Sequence, residues 1–250
     1  MKIIHSEILS VEHLTGENFR LDFRAENIAG NVLPGQFVEI STNGATLLNK
    51  PISVADVDCN RQIMSIVIKK IGKGTNAISK FVPGDVVKII GPCGNAFPNP
   101  GKEAIIVGGG IGIPPLYFFA KFYPKTKFIA ILGAGSKADI VLENNFNSLD
   151  NTQIIVTTDD GSKGEKGTVI PSLEKLLSEK KITVYSCGPK PMLAAVAKTC
   201  AMKNVNAFVS LEAYMGCGIG VCMGCVVNTV RGPERVCKEG PVFLAEDILW

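Results

Sequence analysis

The hydrophobic pattern of this 250-residue chain changes period near residue 100, and that change constrains the fold more than any other feature. Before it, short segments rich in Ile, Val and Phe alternate with turn residues: "KIIHSEILSV", "NFRLDFRA", "QFVEIST", "PISVADV", "QIMSIVIKK" and "DVVKIIG". "LPGQ" at 33–36 and "VPGD" at 82–85 are turn signals. Six such strands predict a small antiparallel β-barrel over residues 1–98, with one short helix at "TNAISKF", 75–81. "PNPGKE", 98–103, has linker composition. Beyond it the strands become continuous apolar runs, "AIIVGG", "KFIAILGAG", "TQIIVTT", "ITVYSCG" and "NAFVSLE", as a parallel sheet buried on both faces requires. Helical segments fall between them: "IPPLYFFAKF", "KADIVLENNF", "VIPSLEKLLSEK" and "PKPMLAAVAKTCAMKN". Residues 104–211 therefore predict a doubly wound parallel α/β domain. Residues 212–250 form a cysteine-rich C-terminal segment with a short tail.

Composition removes several function classes. A formal net charge of +3 is too small to argue for a nucleic-acid surface. The longest apolar stretches contain Gly and Pro and are broken by Lys121, so no membrane span is expected. The N-terminal "MKIIHSEILSVEHL" has acidic residues where an export signal has an apolar run. Eight cysteines without such a signal point to reduced thiols and a cytoplasmic setting, not a disulfide framework.

Four of those cysteines are spaced C-x4-C-x2-C-x11-C: Cys217, Cys222, Cys225 and Cys237, in "EAYMGCGIGVCMGCVV" and the stretch after it. Structural zinc sites usually take two C-x2-C pairs set apart. Three ligands from one loop and a fourth further on match the spacing that holds a [2Fe–2S] cluster in plant-type ferredoxins. The glycines among them leave backbone N–H groups free to meet sulfides. A zinc knuckle and four unrelated buried cysteines are the competing readings. Cys59, Cys93 and Cys200 are scattered and are expected to be small buried residues.

Two loops of the α/β half suggest a dinucleotide. "AIIVGGGIGIPPL" is a strand, a glycine loop and a helix start. Gly109, Gly110 and Gly112 form the loop, but Pro115 replaces the third glycine of the standard fingerprint. Free N–H groups at that helix start suit a pyrophosphate. "SCGPKPM" repeats the plan, placing Cys187, Gly188 and Pro189 at a later strand end, where open α/β sheets bind ligands. No Arg lies between Arg61 and Arg231. The usual partner of a 2′-phosphate is therefore missing, which favours NAD over NADP. Lys137 is the remaining point charge, with Asp139 beside it opposing. In the barrel, "NKPISV" and "VIKKIGKGTNAIS" place Lys50, Lys69, Lys70 and Lys73 around a second glycine loop, either a phosphate cradle or a solvated hairpin. His5 and His13 lie in the first strand and its turn and are given no catalytic role.

In this order the pieces resemble the ferredoxin–NADP reductase superfamily, in which a flavin-binding barrel precedes a nicotinamide-binding domain. "SLEAYMGCGIGVCMGC…VCKEGPVFLAEDI" is most similar to the electron-transfer subunits of dihydroorotate dehydrogenase B complexes. The resemblance implies FAD, a [2Fe–2S] cluster and NAD. It also implies a partner subunit whose FMN oxidises dihydroorotate, in a heterotetramer of two of each, serving pyrimidine (UMP) synthesis. The family's Arg-Pro-x-Ser flavin motif is here Lys50-Pro51-Ile52-Ser53. By the same resemblance Val67, Ile68 and Lys69 line the flavin, Gly74 and Thr75 hold its phosphates, and Cys187 approaches the nicotinamide. "GPCGNAF", 91–97, matches the family's Gly-Pro-Leu-Gly-Asn loop with Cys93 in the Leu place. A nicotinamide moves a hydride, an iron–sulfur cluster one electron, and a flavin either, which orders the relay as partner FMN, cluster, FAD, NAD. Two rivals stay open on residues alone. One is a reductase of the same build serving another partner, such as a sulfur reductase, hydrogenase or ferredoxin. The other is a zinc-stapled nucleotide-binding module.

Overall fold

The computed structural model describes residues 1–250. In the first part, β1 (Lys2–His13), β2 (Asn18–Arg24), β3 (Phe37–Ile40), β4 (Lys50–Asp58), β5 (Ile63–Lys69) and β6 (Val86–Cys93) close into an antiparallel barrel. Its order is β1-β2-β5-β4-β3-β6, and closure leaves no free edge. Period-two alternation sends Phe19, Leu21 and Phe23 of β2, with Met64, Ile66 and Ile68 of β5, into one core. Helix α1 (Lys73–Ile78) follows β5, starting two residues before the expected 75.

The second part is a seven-stranded sheet between helices. Six of its strands, β7 (Glu103–Gly109), β8 (Lys127–Ala134), β9 (Thr152–Thr158), β10 (Glu165–Lys166), β11 (Val184–Cys187) and β12 (Ala207–Ser210), run parallel to one another. The strand order β10-β9-β8-β7-β11-β12 reverses between β7 and β11, which opens a crevice at their carboxyl ends. The connecting helices are α2 (Ile113–Phe122), α3 (Glu143–Asn147), α4 (Val169–Glu179) and α5 (Lys190–Met202). No helix is long and apolar enough to cross a membrane.

Three features differ from the sequence expectation. The helix expected over 137–146 is broken: a 3-10 turn at Lys137–Asp139 is followed by extended Ile140, left-handed Leu142 at φ 58° and the five-residue α3. Ile140 and Val141 are consecutive and both buried. The left-handed backbone at Leu142 interrupts any helix through this stretch, since αL is not propagated as a helix by L-residues. Cys59, expected buried, is exposed in the turn after β4. The C-terminal segment is no separate tail. After the hairpin β13 (Val226–Thr229) and β14 (Gly232–Arg235), β15 (Val242–Leu244) adds an antiparallel edge beside β12.

Barrel and sheet are packed together. Helix α2 lies on β4, and its Phe118 enters the barrel core. Lys121 Nζ stands 2.7 Å from Asp56 Oδ1 across the same seam. Asn95, just past β6, donates to the carbonyls of Glu239 (2.9 Å) and Val242 (2.8 Å) and accepts the Val242 N–H (2.9 Å). The loop leaving the barrel thus fixes the C-terminal segment, using both donors of the amide and one acceptor position of its oxygen.

Candidate functional site

The four residues of "KPIS" open β4. Lys50 pairs with Ile40, Pro51 with Glu39, Ile52 with Val38 and Ser53 with Phe37. All four are half-buried. The Lys50 stem lies over Gly74, so a Cβ at Gly74 would fall on the Lys50 chain. A cation and a bare backbone are therefore stacked at the start of α1, which suits a phosphate. Thr75 Oγ1 accepts the N–H groups of Ile71 (3.0 Å) and Gly72 (3.2 Å) and shapes that loop. On β5 the three expected residues divide. Ile68 points into the barrel core, so it offers only main chain to the other face. Lys69 sits beside buried Val67, and its Nζ pairs with Asp139 Oδ1 at 3.1 Å. Asp139 therefore faces the barrel.

The two nucleotide loops meet at the crevice. β7 and β11 run side by side with Gly108 opposite Cys187. Gly112 packs so close to the 187–188 peptide that an added Cβ would fall on the Cys187 carbonyl and 2.6 Å from the Gly188 nitrogen. A Cβ added at Gly109 would likewise meet Met192 Sδ at 2.5 Å and Pro189 Cδ at 3.0 Å. Bare backbone from both loops lines one edge, as close approach to a pyrophosphate needs. The Cys187 thiol is 2% exposed, and burial pushes it up to about 12. It is a neutral packing group at the floor of this site.

In the C-terminal segment the cysteines associate two by two. The Cys217 sulfur accepts the N–H groups of Cys222 (3.4 Å) and Val221 (3.3 Å), and backbone N–H groups, those of Cys222 and Ile219 foremost, lower its pKa to about 6. The Cys225 sulfur accepts the Cys237 N–H at 3.4 Å, and burial pushes Cys237 up to about 12. Cys225 and Cys237 sit in the apolar core with Phe37 and Cys93 of the barrel; Cys222 is exposed. No three of these side chains form a ready-made site for a single ion. Two pairs on either side of one loop do fit a binuclear cluster, where each iron takes two thiolates, better than a tetrahedral zinc. Arg235 clamps the loop by donating to the Gly220 carbonyl and pairing with Glu239.

Glu39 of β3 lies between these regions. It is 3% exposed, and its side chain rests against Gly218, the neighbour of Cys217. Burial pushes its carboxyl up to about 7; Cys217 adds to that shift and Lys50 opposes it. Sequence reasoning missed Glu39 and Arg235, and noted Asn95 only as part of the "GPCGNAF" loop. Arg235 and Glu239 meet across the turn after β14, where no helix makes i,i+4 spacing a signal. Glu39 carried no signal beyond a charged residue inside an apolar strand.

The family described as iron-sulfur cluster binding domain of dihydroorotate dehydrogenase B matches residues 212–249, and the oxidoreductase NAD-binding domain matches residues 106–198. A Caldanaerobacter subterraneus subsp. tengcongensis protein named dihydroorotate dehydrogenase B (NAD(+)), electron transfer subunit, is 38% identical over 98% of both chains. The chain belongs to that electron-transfer subunit family. A Bacillus caldolyticus family member is 40% identical over 86% of each chain. Among solved structures, an NADH-dependent reduced ferredoxin-NADP oxidoreductase superposes with a TM-score of 0.89 at 29% identity, covering 98% of this chain and 90% of that one. As a member of the family, the chain is an NAD-linked oxidoreductase subunit that works with FAD and a [2Fe–2S] cluster to transfer electrons.

Proposed function

We propose that this subunit passes electrons from an FMN-containing dihydroorotate dehydrogenase catalytic subunit to NAD, in pyrimidine (UMP) biosynthesis. The relay runs from the partner's FMN to cluster, FAD and NAD, because only a flavin exchanges both single electrons and hydride. The assembly is a heterotetramer of two of each subunit in the cytoplasm.

Within it, Cys217, Cys222, Cys225 and Cys237 hold the cluster. Lys50, Pro51, Ile52 and Ser53 face the flavin, with Val67, Lys69 and the main chain of Ile68; Gly74 and Thr75 shape the phosphate end. Gly109, Gly110 and Gly112, with Cys187, Gly188 and Pro189, hold the NAD. Exposed Tyr214, Val221 and Met223 around the cysteine loop supply an apolar face for the partner.

The observation that carries this reading is the near full-length similarity to proteins named for dihydroorotate dehydrogenase B. The architecture does not choose the partner, since the ferredoxin-NADP oxidoreductase neighbour shares it. The test is to purify the chain anaerobically from its own cells with whatever binds it, then add dihydroorotate and NAD. NADH formation supports the proposal. Absence of NADH, with flavin and cluster still reduced by added NADH, transfers the subunit to another partner.

A further inference from the structure

Glu39 is the only charged side chain among the buried residues, and its Oε1 has no hydrogen-bond partner. A lone buried carboxyl costs stability, and an apolar residue would fill β3 without that cost. Its position offers a reason for the cost. In the barrel it stands opposite Pro51 of the flavin motif on β4 and Ile90 on β6. Above it closes the cysteine loop: Gly218, at φ +65°, leaves no space for a Cβ against the Glu39 Cγ, Cδ and Oε1. The ionisable groups that face it are Cys217 from the loop, Lys50 from β4 and Cys93 from β6. Glu39 thus touches both redox regions and bonds to neither.

We propose that Glu39 is a positioning residue for electron transfer, whose carboxylate beneath the Cys217–Gly218 segment lowers the reduction potential of the cluster bound by that loop. The proposal rests on the ligand assignment made above. The physics is direct. Adding an electron makes the cluster more negative, and a nearby negative group in a dry environment opposes that. The protein sets this term through the distance at which the loop rests, and Gly218 permits contact.

Three variants of the full chain, purified with its cofactors, test the idea: Glu39→Gln, Glu39→Leu and Glu39→Asp. Iron and acid-labile sulfide are measured in each, and cluster and FAD midpoints are determined at about pH 8.5, where a carboxyl raised to about 7 is ionised, by potentiometric titration followed by electron paramagnetic resonance and visible absorption. Glu39→Gln and Glu39→Leu are expected to raise the cluster midpoint by about a tenfold change in the one-electron equilibrium, about 59 mV. Glu39→Asp keeps the charge and is expected to stay nearer wild type than the better-shaped Gln, and the FAD midpoint is expected to move less than the cluster's. Should Leu prevent folding, the nearly isosteric Gln decides. Wild-type midpoints in Glu39→Gln at full iron content would overturn the proposal. So would a shift in Glu39→Asp as large as in Glu39→Gln, which would mean shape and not charge. A wild-type chain without iron would instead overturn the ligand assignment, and this proposal with it.

Discussion

Lys69 of the barrel and Asp139 of the sheet domain form an ion pair, Nζ to Oδ1 at 3.1 Å, across the seam between the two halves. Both side chains are about one-third exposed, at 39% and 33%, so the pair belongs with surface bridges of roughly 0.2–1 kcal/mol. Asp139→Asn should therefore lower the unfolding free energy by less than about 1 kcal/mol in urea melts. It should also release Lys69 toward FAD, so that fluorescence titration of the apoprotein shows affinity unchanged or higher. A clear fall in FAD affinity would mean that Asp139 holds Lys69 in its working position.

Lys50 supplies charge without a fork. An arginine in its place adds bidentate bonding to a phosphate, worth about 1 kcal/mol over a single charged contact. Lys50→Arg should keep or tighten FAD binding in the same titration. Marked loss of FAD would remove Lys50 from the cofactor site.

Gly112 has no room for a methyl group against the Cys187 carbonyl, and the obstacle is backbone, which cannot rotate away. Gly112→Ala should cost about 1–3 kcal/mol in denaturant unfolding, as overpacking does. It should also slow flavin reduction by NADH, because the two nucleotide loops must part. Wild-type stability together with wild-type reduction would show that the contact is soft.

Replacing Cys217, Cys222, Cys225 or Cys237 by Ser should remove most iron and sulfide, while Cys59→Ser and Cys200→Ser should remove none. Metal analysis with absorption spectra checks this. Full iron in any of the first four variants would strike that residue from the ligand set.

Much of this was legible because the signals were local. The six barrel strands fall where alternation placed them, and "IPPLYFFAKF" is α2 residue for residue, since Pro114 and Pro115 suit a first helical turn. The glycine loops and cysteine spacing were legible because they express backbone needs at fixed offsets. What escaped depends on chain brought together from afar. Residues 242–244 are too short to announce an edge strand; β12 pairs with them, and Asn95 holds the segment from 147 positions away. Ile68 follows the barrel's inside-outside alternation, which a linear reading of "VIK" does not reveal. Glu39 acquires meaning only when the loop at Gly218 closes over it.

The most direct test of the electron-transfer account is to add NADH anaerobically to the purified subunit while recording its visible and electron paramagnetic resonance spectra. The account predicts that the flavin band bleaches and the signal of a reduced [2Fe–2S] cluster rises in the same sample. A colourless protein carrying zinc, or a flavin and cluster that NADH leaves oxidised, would contradict it.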